Sequence, residues 1–129
     1  MSYEEFKAAI KRNRKNNKNA ILVNWLEVIK KEIQANVDKV NEDLDIQSYE
    51  FLAEIYSAGG FQEVGLKSAG KRIAFSLNGH DEISVYKING VEKEKLGSLT
   101  YINDNKLINS VTNKLFEPKR DVIYFLSQI

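Results

Sequence analysis

The chain has 129 residues, 43% of them hydrophobic and 29% charged, with no cysteine and a formal net charge of +1. These are ordinary globular values for a single domain's length of polypeptide, which excludes wholesale disorder. The lack of cysteine excludes a disulfide framework, a thiolate nucleophile and any cysteine-based zinc or iron–sulfur site.

The near-neutral total hides a segregation. Residues 1–34 carry eight Lys/Arg against four Glu, whereas residues 35–55 carry one Lys against six Asp/Glu. Such a dipolar chain suits the pairing of charged surfaces, its own or a partner's, better than dedicated nucleic-acid binding. The longest apolar runs, "AILV" and "VIYFL", are far shorter than the ~20 residues a membrane-spanning helix needs, so no membrane partner is expected. The start "MSYEEFKAAIK" has no apolar signal core, and a cytoplasmic setting is the expectation. Heavy use of Lys, Asn and Ile points to an AT-rich genome.

Ser2 and Glu5 have the spacing of a capping box, and Tyr3, Phe6 and Ile10 share one face of a helix over 3–13. The polar stretch "KRNRKNNK" at 11–18 then reads as a charged joint. Asn19 is the expected cap of a second helix over 20–44. Its Leu22, Leu26, Ile29, Ile33, Val37, Val40 and Leu44 recur at intervals of three and four. At ~1.5 Å per residue such a helix is nearly 40 Å long and must lie across the body or bend near Asn36. Trp25 is expected to anchor its apolar face.

From residue 48 the period becomes two. Tyr49, Phe51, Ala53 and Ile55 alternate with Glu50, Leu52, Glu54 and Tyr56, as in a strand. "FQEVGLK", "RIAFSL", "EISVYKI" and "LGSLTYI" continue the pattern between turn signals that include Asn-Gly at 78–79 and 89–90, with "VEKEK" as an exposed charged link. "DNKLINSVTNKLF" places Leu107, Val111 and Leu115 at helical spacing behind a possible Asp104 cap. "KRDVIYFLSQI" fits either period, with helix favoured. The predicted fold is α+β and forms one domain. Its N-terminal helices (1–45) pack on an antiparallel meander of about five strands (48–102), and a helical or mixed segment (104–129) closes it.

Catalytic constellations are weak. His80, the lone histidine, sits in a turn beside Asp81 and Glu82, where sequence neighbours rarely converge. Glu50 and Glu54 on one strand face would be about 13 Å apart, too far to share a metal or form a retaining glycosidase pair. Glu117 and Lys119 match a nuclease-like spacing interrupted by Pro118. The glycine pairs fall between strands, where no phosphate-cradling helix follows. No catalytic residue, cofactor or metal is therefore expected.

Two binding functions remain. The first is a non-catalytic protein-binding module: a small regulator, adaptor or inhibitor-like accessory factor of the kind common in phages and mobile elements, the latter by association only. Its carriers would be Tyr49, Tyr56, Phe61, Tyr86 and Tyr101, a surplus of rings suited to a half-wet interface. The alternative is nucleic-acid binding through Lys11, Arg12, Arg14, Lys15 and Lys18.

Overall fold

A computed structural model describes residues 2–15, 18–44, 53–59, 62–78 and 81–129. Helix α1 spans Tyr3–Lys15. The Ser2 hydroxyl accepts the Glu5 amide at 3.3 Å, and Glu4 and Glu5 stand in the first turn, where the helix dipole favours carboxylates. Helix α2 spans Lys18–Asp43 as one piece of 26 residues, about 39 Å at 1.5 Å per residue. It does not break at Asn36, whose side-chain amide donates to the Glu32 carbonyl at 2.8 Å along the same helix. The basic stretch is thus largely helix rather than joint: Lys11 to Lys15 finish α1, and Lys18 opens α2 one residue before the expected Asn19 cap. Lys and Arg are good helix formers, so a solvated run of them extends a helix readily.

Among the described residues, seven antiparallel strands follow in strict sequence order: β1 Glu54–Ala58, β2 Glu63–Ser68, β3 Lys71–Asn78, β4 Glu82–Asn89, β5 Glu92–Asn103, β6 Lys106–Asn109 and β7 Lys114–Leu115. The fold is α+β, with more strands than the five expected. "VEKEK" is not a link, because β5 begins at Glu92 and pairs with β4 directly across the two-residue Gly90–Val91 loop. Gly90, at φ 64°, supplies the positive angle such a loop requires.

The helix expected after Asp104 is absent. Asp104 and Asn105 adopt φ 47° and 64° and form the tight turn from β5 to β6, with Asn103 opposite Lys106. Asp and Asn tolerate this left-handed region, and their competing side-chain hydrogen bonds disfavour a helix interior. The period-two pattern then takes over: Leu107 and Asn109 point inward, while Ile108 is only part-buried. Helix α3, Pro118–Leu126, fulfils the helical reading of the last segment.

Both α2 and α3 lie on one face of the sheet. Leu22, Leu26, Ile29, Ile33 and Val37 of α2 are buried against Val64, Ile73, Phe75, Val85 and Leu99. Phe125 of α3 meets Phe75 edge to face, with centroids 5.9 Å apart. Trp25 anchors α2 as expected. Its ring meets Phe116 edge-on at 5.5 Å, and its Nε1 donates to the Asn105 carbonyl at 2.9 Å, which ties the β5–β6 turn to the helix. No helix among the described residues is long and apolar enough to cross a membrane.

Candidate binding face

The opposite face of the sheet is organised in cross-strand rows. Register places Tyr56 opposite Gly65, Gly65 opposite Ala74, Ala74 opposite Tyr86 and Tyr86 opposite Lys95. One straight row thus crosses β1 to β5 with a tyrosine near each end and a floor of small residues between them. At about 4.8 Å per strand, the two tyrosine backbones are ~14 Å apart. A Cβ at Gly65 would collide with the Ile73 carbonyl and lie 2.7 Å from a Tyr56 ring carbon, so only glycine lets that ring rest on the sheet.

The next row holds Glu54, Lys67, Arg72, Ile88 and Lys93. Its cations flank the rings. Lys67 Nζ and Arg72 Cζ stand 5.4 and 5.6 Å from the Tyr56 centroid, and Lys93 Nζ stands 4.1 Å from that of Tyr86. Both contacts to Tyr56 and the contact to Tyr86 are cation–π pairs on a partly solvated surface, a setting in which each contributes roughly 0.5–1 kcal/mol. The Tyr56 hydroxyl is buried near Glu63 and Arg72, outside hydrogen-bonding geometry. Burial first, and the Glu63 charge second, push it up to about 12. The ring therefore stays neutral throughout the physiological range.

On the other side of the tyrosines the character changes to hydroxyl and acid. Ser76 Oγ donates to Glu63 Oε1 at 2.6 Å. Glu82 Oε1 accepts from Ser84 Oγ at 3.1 Å and from Lys95 Nζ at 2.8 Å. The Lys95 hydrogen bond holds the Glu82 carboxyl below its ordinary value and raises the Lys95 ammonium in return. The face is therefore zoned, with cations along one side of an aromatic row and satisfied acids along the other.

The sequence-derived residues separate cleanly on this frame. Tyr56 and Tyr86 come together on the open face. Tyr101 lies on the helix-bearing side, packed against the core. Tyr49, Phe61, His80 and Glu50 lie outside the described residues. Glu54 is exposed at the end of the cation row, opposite Lys67. Lys11 and Arg12 are exposed on α1; Arg14 and Lys15 belong to its last turn and Lys18 to the start of α2, and the side chains of these three lie outside the description. Glu117 is the N-cap of α3, its carboxylate accepting the Lys119 and Arg120 amides at 3.3 and 3.1 Å, which accounts for the nuclease-like spacing as a capping arrangement. Among the described residues no group of three His, Cys, Asp or Glu could hold a metal ion.

Arg72, Lys67, Lys93 and Lys95 escaped the sequence reading. Alternation leaves Arg72 opposite the face of Ile73 and Phe75, and Lys93 and Lys95 fell in the expected charged link; only the register shows that all four border the tyrosines. No protein-family model, no curated protein and no solved structure matches the chain.

Proposed function

We propose that this chain is a non-catalytic protein-binding module, a small regulator, adaptor or inhibitor-like factor, and that the open sheet face is its contact surface. The observation that carries this reading is the single cross-strand row in which Tyr56 and Tyr86 flank a Gly65–Ala74 floor, with Lys67, Arg72 and Lys93 alongside. Tyrosine and arginine are the residues most enriched at binding hot spots, and a floor of small side chains lets a partner approach closely. The cations select a partner with an acidic surface. Nucleobase stacking fits less well. One face of the Tyr56 ring rests over Gly65, and Lys67 and Arg72 lie over the ring, so it offers no free platform. A cytosolic setting accords with the cysteine-free composition.

The test is site-specific photo-crosslinking in extracts of the source cells. A crosslinker at Ser76 or Ser98 on the open face should capture a discrete protein, and one at Lys119 on α3 should not. Tyr86→Ala and Lys93→Glu should abolish capture while lowering the melting temperature by only a few degrees, as loss of one surface cation–π contact does. Equal capture from both faces, or capture indifferent to Tyr86 and Lys93, would sink the reading.

A second reading, nucleic-acid binding, draws support from the exposure of Lys11 and Arg12. It requires a log–log salt slope on the order of −4 for duplex DNA, flattened when Lys11, Arg12, Arg14 and Lys15 become Gln.

A further inference from the structure

Helix α1 holds an apolar stripe and a cluster of cations that neither the core nor the open sheet face uses. Tyr3, Phe6 and Ile10, at spacings of three and four, are 71%, 56% and 44% exposed. The other described side chains from Ser2 to Arg12 are exposed as well, except the part-buried Ala9. The helix carries five cations, Lys7, Lys11, Arg12, Arg14 and Lys15, against two acids, Glu4 and Glu5, which occupy its first turn. Lys7 and Lys11 follow Phe6 and Ile10 by one residue and so run along one flank of the stripe.

The described residues leave this stripe open. The stretch between Leu44 and Ala53 cannot reach it either. Both of those residues line one groove at the end of α2, so the stretch is tethered there at each end. Its nine chain steps extend about 16 Å out and back. Even with α1 folded straight back along α2, Tyr3 stands ~20 Å short of that end.

The charge selects what covers the stripe. A helix of low overall hydrophobicity, with a narrow apolar stripe edged by cations, suits the boundary of an anionic bilayer. There the stripe enters the acyl margin and the cations meet headgroups. Tyr3 fits that depth, its ring toward lipid and its hydroxyl toward water. Nucleic acid would engage the cations and leave the three apolar side chains in water. The acidic end of α2, with Asp38, Glu42 and Asp43, lies at the far end of a ~39 Å helix from Lys18 and so away from an anionic surface. The shortness of the apolar runs argues against crossing a membrane, not against an interfacial seat, which takes three side chains rather than a span.

We propose that α1 is an interfacial anchor that seats Tyr3, Phe6 and Ile10 in an anionic lipid surface, with Lys7 and Lys11 against its headgroups. The anchor uses no residue of the open sheet face.

Co-sedimentation of the full chain with lipid vesicles tests this. Phosphatidylcholine vesicles containing about 30% phosphatidylglycerol should bind it roughly tenfold or more tightly than pure phosphatidylcholine. Lys7→Gln with Lys11→Gln should weaken that binding about 30-fold, at roughly fivefold per cation. Phe6→Ser with Ile10→Ser should weaken it about tenfold or more at unchanged charge. Both double variants should melt within a few degrees of the wild type, because all four side chains are exposed. No preference for the anionic vesicles, or binding indifferent to the loss of Phe6 and Ile10, would overturn the proposal. Duplex DNA bound at the same ionic strength, with vesicles unbound and no effect of the Phe6 and Ile10 changes, would overturn it in favour of nucleic acid.

Discussion

The Tyr56 ring lies over Gly65 on the neighbouring strand, close enough that a methyl group in place of the glycine hydrogen would lie 2.7 Å from a ring carbon. This contact sets the open face, because it lays one of the two tyrosines flat and leaves its hydroxyl buried.

Gly65→Ala should therefore destabilise the protein by about 2–3 kcal/mol, in the range of core overpacking. For a chain of this length that is a fall in Tm of roughly 10 °C. Adding Tyr56→Ala should restore only part of the loss, because the new Cβ also meets the Ile73 carbonyl, which cannot rotate away. Full rescue in urea denaturation would show that the backbone contact is unimportant.

Ala69 and Gly70 form the two-residue loop between β2 and β3, at φ 50° and 80°. Alanine is strained there and glycine is not. Ala69→Gly should raise stability by about 0.5–1 kcal/mol, despite the greater freedom of its unfolded chain. Gly70→Ala should lower it by a similar amount even though its Cβ would meet nothing, because the cost is conformational rather than steric. Thermal melts of the two variants should shift in opposite directions.

Asp121 is buried at the start of α3, where it accepts the Glu117 amide at 2.9 Å and the Arg120 Nε at 2.9 Å. Burial alone would raise its carboxyl. The Arg120 guanidinium and the Glu117 amide outweigh burial and hold it below its ordinary value. A group whose pKa falls on folding contributes stability at every pH above its unfolded value, near 3.9, and that stability is lost as pH falls through the lower folded value. Asp121→Asn should cost about 1–3 kcal/mol at pH 7 and flatten the acid limb of the stability profile below pH ~4. A variant whose acid limb parallels that of the wild type would refute the assignment.

Trp25 is the only tryptophan, and its Nε1 donates to the Asn105 carbonyl. Trp25→Phe keeps an aromatic edge for Phe116 and loses that hydrogen bond, together with part of the ring's packing. It should cost about 1–2 kcal/mol by denaturation. Hydrogen exchange should quicken locally in the β5–β6 hairpin, since its tie to α2 is gone. Uniform quickening across the sheet would place the effect in global stability instead.

How far the fold could be read in advance depended on where the deciding interaction lay. The α2 stripe was legible because burial of Leu22, Leu26, Ile29, Ile33 and Val37 follows directly from their helical spacing. The hairpin at Asn89–Gly90 was legible from its turn chemistry. Residues 104–116 misled because Leu107, Val111 and Leu115 fit helical spacing, while Asp104 and Asn105 serve equally well as a cap or as a left-handed turn. What tips the balance is distant: β6 pairs with β5, Leu107 enters the core, and Trp25 grips the turn.

The candidate face divides in the same way. Alternation of residues 49–56 by itself set Tyr56 on the face away from Ala53 and Ile55, and helical spacing and turn signals likewise marked the two N-terminal helices, the antiparallel meander and the α+β class. Alternation is blind to which residues stand opposite one another, since sliding a strand by two preserves its faces and changes every neighbour. Only the tertiary structure decided that Tyr56, Gly65, Ala74 and Tyr86 share a row, that Lys67, Arg72 and Lys93 border it, and that Tyr101 turns inward. Those facts are set by loop lengths, the bulge beside Tyr86 and the packing of α2 and α3, which act through contacts far apart in the chain.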